Sequence, residues 1–162
     1  MLLFRFGFLI TVLIAASTAS AQSVEAFVTG GAGRWVHSTG SSGPLMVGAG
    51  GVEWLPTPHV GIAGETGLLT STTGPVAVSV NAEARLHFGN RSSTGAWAPY
   101  VFAGYSPLRF FELSDHGLQY GAGIDYRLSP RRALRFELRD ILRDGGLVKS
   151  HYWTLRVGMT FR

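Results

Sequence analysis

No cysteine occurs in the 162 residues. Its absence excludes disulfides, thiol chemistry and a cysteine-linked lipid anchor. Charge is also thin at the start, where Arg5 is the only charged residue before Glu25. The arginines and the single lysine, Lys149, are scattered along the rest, with no basic stripe of the kind that nucleic acid requires. Beyond the N-terminal segment no apolar run approaches the roughly 20 residues of a transmembrane helix. Yet hydrophobic residues make up 46% of the chain and glycine occurs 22 times. Apolar residues diluted by alternating polar and glycine positions fit strands of which only every second residue meets lipid.

The N-terminus reads as a secretory signal peptide. Arg5 is followed by an apolar stretch, Phe6 through Ala16, and then by Ser17-Thr18-Ala19-Ser20-Ala21. The small residues Ala19 and Ala21 form an Ala-x-Ala processing site, so cleavage is expected after Ala21. The apolar run is too short for a membrane-spanning helix. Residues 1–21 are therefore assigned to the signal peptide and 22–162 to one domain. Setting aside Arg5, the domain keeps 13 of the 14 Lys and Arg against 10 Asp and Glu, a mild excess of positive charge.

Within the domain, period-two alternation predicts eight strands, at about 24–36, 45–54, 59–69, 76–88, 99–107, 117–128, 133–142 and 151–161. Each is near or above the 9–11 residues with which a tilted strand crosses a bilayer. In the last, His151, Trp153, Leu155, Val157, Met159 and Phe161 oppose Tyr152, Thr154, Arg156, Gly158 and Thr160. In the fourth, Val76, Val78, Val80, Ala82, Ala84, Leu86 and Phe88 oppose Ser79, Asn81, Glu83, Arg85 and His87. The first and fifth alternate poorly. Connections 37–44, 70–75, 107–116 and 143–150 are expected at the outer end. Residues 55–58, 89–98 and 129–132 are expected at the inner end, with both termini.

Three features point the polar face inward. Aromatic residues at strand ends (Trp35, Trp54, Phe88, Tyr100, Tyr126, Trp153 and Phe161) suit girdles at the two membrane interfaces. The polar face is charge-balanced: Glu53, Glu65, Glu83, Asp125 and Glu137 against Arg85, Arg127, Arg135, Arg139 and Arg156. Buried charges are tolerated when paired and hydrogen-bonded. Glycines on that face, such as Gly121, Gly123 and Gly158, leave room for large neighbours in a narrow barrel.

The segment from Gly121 through Pro130, with Leu134-Arg135-Phe136-Glu137-Leu138-Arg139-Asp140, resembles the penultimate hairpin of outer-membrane β-barrel proteins of the OmpA-like transmembrane type. Val157-Gly158-Met159-Thr160-Phe161-Arg162 is similar to their C-terminal assembly signal, although that signal usually carries a second aromatic two residues after the position of Phe161, and the sequence stops at Arg162. The resemblance covers the whole mature region and speaks to fold more than to activity. It implies a single all-β, antiparallel, up-and-down transmembrane barrel of about eight strands in the outer membrane. It also implies contact with outer-membrane lipid and lipopolysaccharide, and with the barrel-assembly machinery during biogenesis.

Chemistry is sparse. No His-x-Ser pair of the lipid A deacylase type occurs: His151 is followed two residues on by Trp153, and His37 by Thr39. His37, His116 and His151 map to the outer rim, where with Asp115 they present Zn²⁺-ligand chemistry without a metal-binding spacing. Polar rim residues are the favoured reading of them. His59 and His87 are expected at the inner rim and in the lumen. Phe110 and Phe111 read as an extension of the fifth strand into the aromatic girdle. The expectation is a structural or interaction barrel, bearing on surface adhesion or envelope integrity, with an ion-paired, closed lumen. No catalytic, cofactor-binding or metal residues are assigned, and no cofactor. The alternatives are a narrow channel and, more remotely, a lipid A-modifying enzyme.

Overall fold

The computed structural model describes residues 23–71, 76–89, 91, 93–110, 113–144 and 149–162, with 108–110, 113–115 and 144 described by backbone alone. The signal-peptide assignment, residues 1–21, falls outside them, as does Phe111.

Ten strands run in chain order. They are β1 (Ser23–His37), β2 (Ser42–Leu55), β3 (Val60–Thr70), β4 (Ala77–His87), β5 (Trp97–Tyr105), β6 (Leu108–Phe110), β7 (Leu113–Asp115), β8 (Gly117–Ser129), β9 (Arg132–Asp144) and β10 (Lys149–Phe161). All pairings are antiparallel. β1 pairs with both β2 and β10, and β3 with both β2 and β4, so the sheet closes on itself. Closure removes the unpaired edges that a lipid environment does not tolerate.

The barrel has eight staves because two strands are interrupted. Where β5 leaves β4 at Tyr105, β6 takes over the pairing, with Leu108 opposite Ser79 and Arg109 opposite Val78. β6 then pairs with β7, which leads into β8. Residues 107–116, expected as a loop, thus include a short hairpin standing on the outer rim. The other predicted strands are extended by one to three residues at most ends. Thus β2 begins at Ser42, inside the expected connection 37–44, and β5 begins at Trp97, inside 89–98. Inter-strand hydrogen bonding carries pairing past the point where side-chain alternation fades.

Side chains alternate as a lipid-facing barrel requires. β4 is buried at Ala77, Ser79, Asn81, Glu83, Arg85 and His87 and exposed at the intervening positions. Val80 (58% exposed), Leu138 (52%) and Leu155 (62%) face outward, while Arg135, Arg139 and Arg156 are at most 1% exposed. That is the inverse of a water-soluble barrel. No helix among the described residues is long and apolar enough to cross a membrane.

The aromatic belts are redistributed. Phe88, Trp97 and Phe161 face outward at the inner end, and Tyr105, Tyr120 and Trp153 at the outer end. Trp35 and Tyr100, expected in the belts, point into the lumen instead. Trp35 packs on His37 with ring centroids 4.7 Å apart, and Tyr100 is 1% exposed. Both lie on the strands whose alternation is weakest, where glycine or alanine occupies both faces and hides the parity.

Candidate functional site

The lumen is filled in layers. At the inner mouth Glu25 on β1 gathers three arginines. Arg91 Nη2 lies 2.6 Å from Oε2, and Arg127 Nη2 and Arg162 Nη2 lie 3.3 and 2.8 Å from Oε1. Arg91 comes from the turn between β4 and β5 and also approaches Asp125, at 3.6 Å. Burial lowers its guanidinium pKa from the ordinary arginine value, against the pull of Glu25. This turn is longer than an inner connection need be, and its arginine occupies the mouth of the barrel.

The next layer centres on Glu53. Its carboxylate takes hydrogen bonds from Arg85 Nη1 at 2.9 Å and Arg135 Nη2 at 3.3 Å, and contacts His87. Arg135 also grips Asp125 on the adjacent strand with two parallel bonds, Nε to Oδ1 at 2.8 Å and Nη2 to Oδ2 at 2.9 Å. Such fork-to-fork pairing adds directional strength. Arg85 further bonds Glu83 on its own strand.

The middle layer joins four staves through Arg139. It donates to Glu137 at 2.9 Å, Glu65 at 3.2 Å and Gln119 at 2.8 Å, and pairs with Glu83 at 3.1 Å. Glu65 also accepts from Arg156 and Asn81, at 2.9 and 2.8 Å. The ten charged residues expected on the inner face are therefore all buried there. Glu25, Arg91 and Arg143 join them. Arg91 lies in a turn, where strand parity gives no signal.

Aromatic rings separate these charges. The Arg85 and Arg135 guanidiniums lie over Phe27, at 4.6 and 5.0 Å from its centroid, and Arg139 lies over Phe102 at 4.6 Å. The rings fit because glycines face them: a Cβ on Gly51 would meet Phe27 at 2.6 Å, and one on Gly121 would meet Phe102 at 2.6 Å. The inner-face glycines thus make room for rings that carry the arginines. Toward the outer rim the lumen carries an apolar cluster, with Arg143 lying over the Tyr152 ring at 5.5 Å from its centroid. Leu45, Val47, Leu69, Ala77 and Ile141 cluster beneath the outer rim, with Tyr152 against them.

The rim histidines diverge. His37 turns toward Ser150 Oγ, 2.5 Å away, His116 pairs with the Tyr105 hydroxyl, and His151 faces outward to Asp140. Each takes a different partner, and no group of three potential metal ligands forms among the described residues. His59 lies at the inner rim against the His87 carbonyl, at 3.2 Å. Asp140 breaks the pattern of its strand, being on the outward face of β9 yet only 1% exposed. Its Oδ2 accepts from the Tyr120 hydroxyl and contacts His151 Nδ1, both at 2.7 Å.

A closed eight-stave barrel, apolar outside and charged within, defines a transmembrane β-barrel of the outer-membrane class. The profile of the outer membrane protein beta-barrel domain family matches residues 6–161. The chain belongs to that family, and its place is the outer membrane, among outer-membrane lipids and lipopolysaccharide. No curated protein matches the sequence. Among solved structures it is similar to Neisserial surface protein A (TM-score 0.68, 15% identity, 88% of this chain and 99% of that one). It is also similar to the N-terminal β-barrel domain of Pseudomonas aeruginosa OprF (0.63, 18%, 85% and 95%). A third is Ail, the attachment invasion locus protein of Yersinia pestis (0.51, 16%, 85% and 98%). At these identities the likeness is one of fold.

Proposed function

We propose that the protein is a structural or interaction barrel of the outer membrane, bearing on surface adhesion or envelope integrity, with a lumen closed to ions. The observation that carries this reading is the succession of buried ion pairs and apolar side chains along the barrel axis. It runs from the Glu25 cluster through the Arg135 and Arg139 layers to the apolar cap at Leu45, Leu69 and Ile141. Guanidiniums locked by carboxylates from several staves cannot swing aside singly without stranding a charge in a low-dielectric interior. In this reading the lumen groups hold the wall together rather than perform a reaction, and no catalytic step is assigned to them. The surface available to partners is the outer rim, including the β6–β7 hairpin, and the barrel-assembly machinery is its partner during insertion.

Planar-bilayer recording on the refolded protein tests the closed lumen. Silence at moderate voltage is expected. Reproducible unitary steps from protein of native heat-modifiability would replace this reading with that of a narrow channel.

A further inference from the structure

The inner end of the barrel is a second exposed face, and its charge is of one sign. Arg131 lies in the β8–β9 turn, Arg132 opens β9 and Arg162 follows β10, and all three are exposed. The Arg162 amide donates to the Arg131 carbonyl at 3.0 Å, and Phe161 stands opposite Arg132, so the three belong to two neighbouring staves. Among the described residues the acids of this end are Glu25, Glu53 and Asp125, and each is at most 2% exposed.

Uncompensated charge lies behind the exposed arginines. Asp125 and Glu53 are held at closest range by Arg135 and Arg85, at 2.8 and 2.9 Å. Glu25 alone is left to Arg91, Arg127 and Arg162. With Arg131 and Arg132, five guanidiniums are set against one carboxylate. Nε and Nη1 of Arg91 and Nη1 of Arg127 have no hydrogen-bond partner among the described residues. These buried groups keep the potential of the face positive. Contact itself falls to Arg131, Arg132 and Arg162, whose side chain is 32% exposed.

We infer that this face docks a carboxylate-bearing polymer on the periplasmic side, the acidic peptide stems of the cell wall. Guanidiniums match carboxylates in geometry as well as charge, and one such contact is already built here: Arg162 holds Glu25 Oε1 between Nε and Nη2, at 2.9 and 2.8 Å. The placement of the charge favours this partner over membrane lipid. Only Arg132 shares the outward face with Phe161 of the inner aromatic belt. Arg91, Arg127 and Arg162 converge on Glu25 over the mouth of the lumen, away from the acyl chains. A single exposed ion pair is weak, but a polymer that repeats its carboxylates raises their effective concentration at the face. The inference deepens the envelope-integrity reading and rests on it, with the inner end facing the periplasm.

The test is co-sedimentation of the full barrel, extracted in detergent, with purified cell-wall sacculi at low ionic strength. The parent is expected to sediment with them and to be released when the sacculus carboxyls are blocked as amides. Arg131→Gln/Arg132→Gln is expected to lower the bound fraction about fivefold. Arg34→Gln/Lys149→Gln, which removes as many exposed charges at the outer rim, leaves it unchanged. Heat-modifiability shows that each variant is folded. Equal binding to amidated and untreated sacculi, or equal loss from the two double variants, makes the attachment non-specific and overturns the inference. So does loss of co-purified phosphatidylglycerol from the inner-rim variant with sacculus binding intact, which assigns the arginines to inner-leaflet lipid. Planar-bilayer recording on the same preparations keeps the two readings apart. Unitary steps with sacculus binding intact overturn the closed lumen alone, whereas silence without binding overturns the wall contact alone. Because the chain has no native cysteine, Thr94→Cys in the exposed β4–β5 turn reports orientation. An impermeant maleimide is expected to label it only after the outer membrane is permeabilised. Labelling on intact cells places this face outside and overturns the inference.

Discussion

Arg135→Leu removes the most enclosed cation of the lumen. Arg135 is 0% exposed, holds Asp125 by two bonds and Glu53 by one, and lies between the Phe27 and Tyr100 rings at 5.0 Å from each centroid. Its loss does not affect the two acids equally. Glu53 keeps Arg85 at 2.9 Å and His87, so it remains paired. Among the described residues Asp125 keeps only Arg91, at 3.6 Å, and that arginine comes from a turn already committed to Glu25. The cost is therefore that of one stranded buried carboxylate, about 3–5 kcal/mol. Removing the stranded group should return most of it, because apolar replacement of a buried pair is often near neutral. Arg135→Leu/Asp125→Leu is thus expected to recover more than half of the single-variant loss. The assay is urea unfolding of the barrel refolded into lipid vesicles, followed by tryptophan fluorescence, with band shift on boiling as a check of closure. A single variant within about 1 kcal/mol of the parent would refute the reasoning, since a cost that small means water already reaches Asp125. A double variant no better than the single would show that ring packing, rather than charge, is what Arg135 provides.

Other substitutions read different parts of the wall. Phe136→Arg puts a charge on the lipid face next to Arg135 and should cost about 2–4 kcal/mol, seen as loss of the heat-modifiable band. Gly123→Ala drives a methyl into the Tyr100 ring and should destabilise by about 1–3 kcal/mol in the same urea assay. Gly48→Ala, whose Cβ meets nothing within 4 Å, should be neutral or slightly stabilising. Arg91→Ala opens the inner mouth but leaves the Arg135 and Arg139 layers in place. It should lower stability by about 1–3 kcal/mol while bilayer recordings stay silent, and unitary steps from it would make the turn the barrier to ions.

Strand parity is a local property, and where residues of clear type alternate it is legible without coordinates. The eight spans and the sorting of β4, β9 and β10 into an apolar and a charged face follow from period two, since neighbours in a strand must face opposite ways; that the charged face points inward follows from the aromatic strand ends, the charge balance and the glycines. Parity also places Asp140 with Leu134, Phe136 and Leu138 on the outward face of β9, but nothing local shows that Tyr120 and His151 from two other strands close over it. Parity fails where glycine and alanine fill both faces, which is why Trp35 and Tyr100 turned out to be lumen residues. It is silent in turns, where Arg91 stands. Which carboxylate each arginine takes, why Gly51 and Gly121 face Phe27 and Phe102, and how the apolar cap forms from β2, β3, β4, β9 and β10 depend on register and closure. Those are set by hydrogen bonding between strands far apart in sequence. The chain's alternation, with its aromatic strand ends and balanced charges, thus determined that this would be a membrane barrel with charges inside. Only the closed tertiary structure decided how those charges meet, and that one carboxylate is held on the outside.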